Sequence, residues 1–307
     1  MKYLGIEIGG TKLQIVSGGA AGQIVERKRF LIDKAAGAEG IRNQIKGSLI
    51  EFLSAGNYSG VGCGFGGPIM LGEGRIAKSH QVSGWDEFPL QEWLYELTGL
   101  PCRVENDANT AALAEAMVGA GKAEREVLYV TLGSGVGGGF VIDGRIYHGA
   151  TPGEVEIGHL RLTPFGPIVE EKCSGWAIDH ALRKAAGANS KSWLGSKAGQ
   201  ADFGARYLLP AIDAGDQAAL SIWRDLIANL SFALSHAIHL LHPSIVVLGG
   251  GLSLTGSRLA AELRLAIPEQ IMEVFRPGPK VTIAALGEDV VPVGALLLAA
   301  EVAEDRH

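Results

Sequence analysis

Two stretches of this chain follow the same local plan, and that repetition constrains the fold more than any other feature. Tyr3-Leu4-Gly5-Ile6-Glu7-Ile8 is a β-type run, broken by Gly9-Gly10 and resumed by Lys12-Leu13-Gln14-Ile15-Val16. About 125 residues further on, Val127 to Leu132 is again strand-like, Gly133 to Gly139 is glycine-rich, and Phe140-Val141-Ile142 returns as a strand. Strand, glycine turn, strand is a hairpin signature, so the recurrence predicts a duplicated α/β unit in a two-domain fold. Two such units side by side would bring both glycine turns to a shared cleft able to hold a nucleotide's phosphates from either side.

Between these hairpins the periodicity changes. Ile41, Ile45, Leu49 and Leu53 recur at helical spacing, as do Leu90, Trp93, Leu94 and Leu97, the latter stopped by Gly99 and Pro101. Val61 to Phe65 and Arg103-Val104-Glu105 read as short strands, with a helix from about Asn109. Asp143-Gly144 is a hairpin turn. Trp223 to Leu241 holds helical period up to His242-Pro243, and Ser244 to Leu248 is a buried strand leading into Gly249-Gly250-Gly251.

Glycine is the compositional outlier, with 44 residues gathered in knots at Gly9-Gly10, Gly62 to Gly67, Gly133 to Gly139 and Gly249 to Gly251. Each knot follows a β-rich run. Glycine lets backbone N–H groups approach a ligand closely, which suits phosphate or nucleotide contacts. Two knots match the dinucleotide fingerprint, Gly133-x-Gly135-x-x-Gly138 and Gly62-x-Gly64-x-x-Gly67. That mechanism needs a helix directly after the glycines. Here the first runs into a hairpin and the second into Pro68-Ile69, so both matches are set aside. The Walker pattern is absent from the sequence.

Hydrophobic residues at 47% and charged residues at 20% provide for a sizeable core. A net charge of −6 without a Lys/Arg cluster argues against a nucleic-acid partner. No apolar stretch approaches the ~20 residues of a membrane helix, and the first strand begins too early for a signal peptide. Cys63, Cys102 and Cys173 are scattered, giving neither a disulfide framework nor a metal cluster. A cytoplasmic protein is expected.

Three groups of polar residues could carry chemistry. Glu7, Gly9, Gly10, Thr11 and Lys12 join a strand-borne carboxylate to phosphate donors, with Glu7 able to hold Mg²⁺ through water. Asn106 offers a donor and an acceptor to sugar hydroxyls, and Asp107 can accept the proton of an attacking hydroxyl. The same pair would serve equally as a helix cap. Glu156 and His159 could bind vicinal hydroxyls, or simply form a solvated surface pair.

Taken in order, Gly9-Gly10-Thr11-Lys12, Gly64-Phe65-Gly66-Gly67-Pro68, Glu105-Asn106-Asp107-Ala108-Asn109, Leu132 to Gly139, Glu156-Ile157-Gly158-His159 and Leu248 to Gly251 resemble the ROK family of repressors and sugar kinases. The resemblance spans nearly the whole chain. It implies an actin-like, ribonuclease-H-like pair of domains, 1–116 with 292–307 and 117–291, closing on ATP, Mg²⁺ and a hexose. It implies Asp107 as general base, usually toward a sugar 6-OH, with Gly66, Gly67, Asn106, Glu156 and His159 in the sugar site. Gly9, Gly10, Thr11, Gly133, Ser134 and Gly135 would clamp the phosphates, and Gly249 and Gly250 would lie near the adenosine. Glucose is the commonest implied substrate, with fructose, mannose, allose and N-acetylhexosamines as alternatives, and a homodimer is the family-level expectation.

Two departures stand out. Glu7 replaces the Asp common on the family's first strand, although fructokinase-like members share it. Zinc-binding members carry C-x-C-G-x-x-G-C-x-E, where this chain retains only Cys173, so no structural zinc is expected. The sugar-binding Glu of that motif has three neighbouring stand-ins, Glu170, Glu171 and Asp179. A sugar-responsive repressor would need a DNA-binding segment ahead of the first strand. An actin-like assembly protein would have no use for Asn106-Asp107 together with Glu156 and His159. A sugar-binding protein without turnover is the remaining alternative.

Overall fold

The computed structural model describes residues 1–79 and 82–304. The last three residues of the expected 292–307 segment lie outside them. The chain divides into two compact units. One holds Met1–Arg125, Gly139–Glu154 and the chain from Leu286 onward; the other holds Glu126–Gly138 and Val155–Ala285.

The first unit is built on a five-stranded sheet. β1 (Tyr3–Ile8) and β2 (Lys12–Gly18) form the expected hairpin, followed by β3 (Ile24–Leu31), helix α1 (Gly37–Ala55) and β4 (Val61–Phe65). A small ribbon of β5 (Ile69–Met70) and β6 (Arg75–Ile76) precedes α2 (Leu90–Thr98), β7 (Cys102–Asn106) and α3 (Asp107–Met117). The strand order is β3-β2-β1-β4-β7, antiparallel across β3, β2 and β1 and parallel from β1 to β7. Side-chain alternation divides β1 between two cores. Leu4, Ile6 and Ile8 join Ile41, Ile45 and Leu49 of α1, whereas Tyr3 packs with Leu296 and Ala299. α2 stops at Gly99, whose φ of 67° needs no Cβ to be accommodated.

β9 (Val136–Ile142) begins in the second unit and runs into the first, which also holds β10 (Arg145–Ile146), while β8 (Glu126–Leu132) opens the second unit. Helices α4 (Glu170–Cys173), α5 (Gly175–Ala188), α6 (Trp193–Lys197), α7 (Leu208–Asp213) and α8 (Gln217–Leu241) follow. β11 (Ile245–Gly249), α9 (Ser257–Ala266) and β12 (Lys280–Ile283) complete it, before α10 (Val290–Glu304) returns to the first unit. The sheet order is β10-β9-β8-β11-β12, with β11 parallel to both β8 and β12. This is the order of the first sheet over again, so the duplication read from the hairpins extends to the complete strand topology. Asp216 caps α8, and His242 ends it in the left-handed conformation at φ 46°.

Two helix starts differ from the sequence reading. The helix expected from about Asn109 starts at Asp107, because Asn106 caps it through its side chain. The long helix begins at Gln217, ahead of its apolar repeat, because Asp216 supplies the cap. The strand read at Val61 to Phe65 is β4, so Gly62 and Gly64 of the second glycine knot lie within it. Gly62 is needed for packing, since a Cβ there would overlap the carbonyl of Ala295 on α10. No helix among the described residues is long and apolar enough to cross a membrane.

Candidate active site

In the first unit, β1, β4 and β7 are parallel neighbours, so their C-terminal ends emerge together. Brief loops follow the first two, and α3 follows the third. The first loop is closed by a hydrogen bond from Gly9 N to the Lys12 carbonyl (3.0 Å), and the second is tied to it by one from Gly66 N to the Ile8 carbonyl (2.9 Å). A Cβ built on Gly66 would lie 3.3 Å from Asp107 Oδ2, 3.4 Å from the Ile8 carbonyl and 3.7 Å from Gly9 Cα. Gly9, Gly66 and Asp107, distant in sequence, are therefore neighbours in space. Asn106 joins them, donating from Nδ2 to the Gly67 carbonyl at 3.1 Å.

The cap limits what Asn106 can offer. Its Oδ1 accepts from Ala108 N (2.9 Å) and Asn109 N (3.3 Å), leaving Nδ2 as the group available to a ligand. The two sequence alternatives, helix cap and ligand contact, thus use different ends of one amide. Asp107 occupies the first turn of α3, where the helix dipole favours a carboxylate.

Glu7 is 6% exposed and faces Gln14 across the β1–β2 pair. Gln14 Nε2 donates to its Oε2 at 2.6 Å, and Lys12 Nζ lies 3.3 Å from Oε1. Burial raises the Glu7 carboxyl above its usual range, opposed by Lys12, Gln14 and Arg29. Lys12, expected on phosphate, is thus paired with Glu7. Thr11 is exposed at the turn.

Glu105 is a buried residue that sequence reading assigned no role. Its Oε1 accepts from Asn106 N at 2.8 Å, and its Oε2 lies 2.7 Å from His148 Nε2. That hydrogen bond raises the His148 pKa, with burial acting against it and the charges of Glu105 and Glu154 adding to the rise. No sequence pattern links Glu105 to His148; the contact arises from tertiary folding.

The second unit assembles its own group. Gly175 N donates to the Gly133 carbonyl at 2.7 Å, and Gly250, at φ 79°, lies against the backbone of Leu132 and Gly133. Ser134 is exposed at the tip of the turn and Gly249 closes β11. Gly158 packs on Val136, which brings the 157–159 turn to the start of β9. Glu156 and His159 form an exposed pair 3.5 Å apart. Of the three acidic stand-ins, Glu170 alone meets the glycine turn: its Oε2 accepts from Val136 N at 2.9 Å and would overlap a Cβ on Gly135. Glu171 accepts from Ile168 N and Asp179 from Ala205 N. Cys173 is buried, and burial pushes its thiol up to about 12.

Known proteins share this arrangement along its length. The glucokinase of Halalkalibacterium halodurans is 32% identical over 309 residues, covering 95% of this chain and 93% of its own. The structure of a ROK family glucokinase from Streptomyces griseus in complex with glucose and AMPPNP superposes with a TM-score of 0.83, at 27% identity, over 98% of this chain and 100% of that one. A ROK hexokinase from Thermus thermophilus gives a TM-score of 0.82 at 28% identity, over 99% of this chain and 100% of its own. The doubled sheet topology is accordingly the two-domain actin-like fold anticipated from sequence. The ROK family model matches residues 3–302, and the chain belongs to the ROK family.

Proposed function

We propose that this chain is an ATP-dependent hexokinase that transfers the γ-phosphoryl group of ATP to a hexose hydroxyl, with the glucose 6-OH as first choice. The observation carrying this reading is the juxtaposition of Asp107 with Gly66 and Gly9, a carboxylate beside a glycine turn on a helix N-terminus. The names of the relatives, glucokinase and hexokinase, point the same way, as does the bound glucose and AMPPNP of the Streptomyces griseus enzyme.

In this mechanism Asp107 receives the proton of the attacking hydroxyl, and Asn106 donates its remaining Nδ2 hydrogen to a neighbouring hydroxyl. Gly66 and Gly67 shape the sugar site without side chains. Glu170, rather than Glu171 or Asp179, serves as the acidic sugar ligand of the second unit, with Glu156 and His159 beside it. Gly9, Gly10 and Thr11, and Gly133, Ser134 and Gly135, supply phosphate donors, and Gly249 and Gly250 border the adenosine. Lys12 keeps Glu7 paired in the resting protein.

Mg²⁺ fits the residues present. Glu7 offers carboxylate oxygens of the type Mg²⁺ takes and already draws a cation, the Lys12 ammonium 3.3 Å from its Oε1, to that position. The bound ion would offset phosphate charge during transfer. We propose a cytoplasmic homodimer as the working form, which sedimentation and cell fractionation would check.

The test is ADP release from ATP and Mg²⁺ with a panel of hexoses and N-acetylhexosamines, coupled to sugar-phosphate detection. Asp107→Asn is expected to lower kcat by about 10²–10⁴ with sugar binding largely kept. Near-normal turnover of that variant would remove Asp107 as the base. Sugar-induced thermal stabilisation without turnover in the wild type would replace the kinase with a sugar-binding protein.

A further inference from the structure

The phosphoryl-transfer scheme uses Asn106 and Asp107 but not the groups that fix where they stand. Asn106 ends β7 and caps α3, and Asp107 opens that helix. One buried carboxylate ties down the backbone of this junction. Glu105 is 1% exposed, and its Oε1 accepts from Asn106 N at 2.8 Å and from Asn109 Nδ2 at 3.2 Å. Its Oε2 lies 2.7 Å from His148 Nε2. That hydrogen bond raises the His148 pKa against the effect of burial; the charges of Glu105 and Glu154 add to the rise, and Arg103 opposes it. The imidazole is therefore drawn toward its cationic, donating form.

His148 reaches Glu105 from a distant part of the chain that is built onto α3. Ile146 of β10 pairs with Val141 of β9, and Tyr147 N donates to the Phe140 carbonyl at 2.7 Å, which sets the position of His148. At the head of this stretch, a Cβ on Gly139 would lie 2.8 Å from the Ala108 carbonyl. At its far end, Glu154 Oε1 lies 2.5 Å from Asn109 Nδ2. The His148 side chain is 25% exposed, against 1% for that of Glu105. Removing the imidazole would take one donor from a buried carboxylate, a costly loss for a charged group. Glu105 could regain a donor by turning to the water in the vacated space, and that turn would release Asn106 N.

We propose that His148, acting through Glu105, is a positioning residue for phosphoryl transfer that holds the β7–α3 junction carrying Asn106 and Asp107. The catalytic part of this inference rests on the kinase reading. A base displaced by about 1 Å loses on the order of 10²-fold in rate. Asn106 keeps its own cap on α3 when His148 is removed, so the displacement is partial. His148→Ala is expected to lower kcat by about 10–100-fold. The KM for ATP stays unchanged, because the residue acts on the acceptor side of the reaction.

The experiment compares His148→Ala with His148→Gln in the full chain. A glutamine amide can place an N–H donor where Nε2 stands, so His148→Gln should regain most of the lost turnover. Amide hydrogen exchange, read by mass spectrometry on peptides covering 102–109, follows the junction without any need for turnover. Exchange at Asn106 should quicken in His148→Ala and stay at the wild-type rate in His148→Gln, with the rest of the first sheet unaffected. Unchanged exchange at Asn106 in His148→Ala would overturn the proposal, and so would unchanged kcat, equal loss in both variants, or faster exchange throughout the sheet. Failure of the wild type to phosphorylate any sugar would instead strike the kinase reading, and the exchange rates would still decide whether His148 holds the junction.

Discussion

Gly66→Ala separates chemistry from stability at the proposed active site. The added methyl would sit 3.3 Å from Asp107 Oδ2, 3.4 Å from the Ile8 carbonyl and 3.7 Å from Gly9 Cα. Only the first two contacts are tight, and the backbone of Gly66 is not in the left-handed region. Small shifts relieve the contacts, and the reduced freedom of the unfolded chain returns about 0.4–1 kcal/mol. The net change in stability is therefore expected within about 1 kcal/mol. Catalysis has no such tolerance. A base must stand about 2.6–3.2 Å from the hydroxyl it deprotonates, and a methyl 3.3 Å from Oδ2 takes that space. Displacing the acceptor by about 1 Å costs on the order of 10²-fold in kcat/KM, or about 2.7 kcal/mol of transition-state stabilisation. Coupled ADP-release kinetics and urea denaturation on the same preparations make the comparison. Unchanged kcat/KM in a folded variant would refute the placement of the reacting hydroxyl at Asp107. A stability loss above about 3 kcal/mol would refute the packing argument.

The remaining expectations concern the second unit. Asp216 is 7% exposed and accepts from Leu194 N at 3.0 Å, Ala218 N at 3.0 Å and Ala219 N at 3.2 Å. Burial alone would raise its carboxyl, but these N–H groups, with a hydrogen bond from the Ser192 side chain, outweigh burial and hold it below the ordinary value of 3.8. A depressed carboxyl stabilises the fold above its unfolded pKa, and that contribution is lost as pH falls through the folded value. Asp216→Ala should cost about 2–3 kcal/mol in urea unfolding at neutral pH. Asp216→Asn should flatten the fall in stability below about pH 4 while keeping the cap; an unaltered acid profile would contradict this. Glu170→Gln should raise the sugar KM by about tenfold or more, whereas Glu171→Gln should leave it unchanged. Equal effects of the two substitutions would remove Glu170 from the sugar site.

The ordered motifs were legible in sequence because each depends on local chemistry: glycine turns at strand ends, a capping Asn before a helix, and the Asp143-Gly144 hairpin turn at φ 50° and 76°. Element boundaries were less legible. The two that moved, Asp107 for Asn109 and Gln217 for Trp223, moved toward side-chain caps that apolar periodicity does not register. Gly62 was read as part of a ligand-binding knot because its need for space comes from α10, more than 200 residues away in the chain.

What the sequence determined by itself was the duplicated α/β architecture, the family, and the residue types at each turn. These follow from periodicity and backbone conformational preference over a few residues. Only the tertiary structure decided which acidic residue meets the Gly133–Gly135 turn, which end of the Asn106 amide is available, and that Glu105, His148 and Glu154 share one small volume. Such choices depend on how strands pair and how far apart side chains come to rest. A chain read residue by residue carries no measure of either.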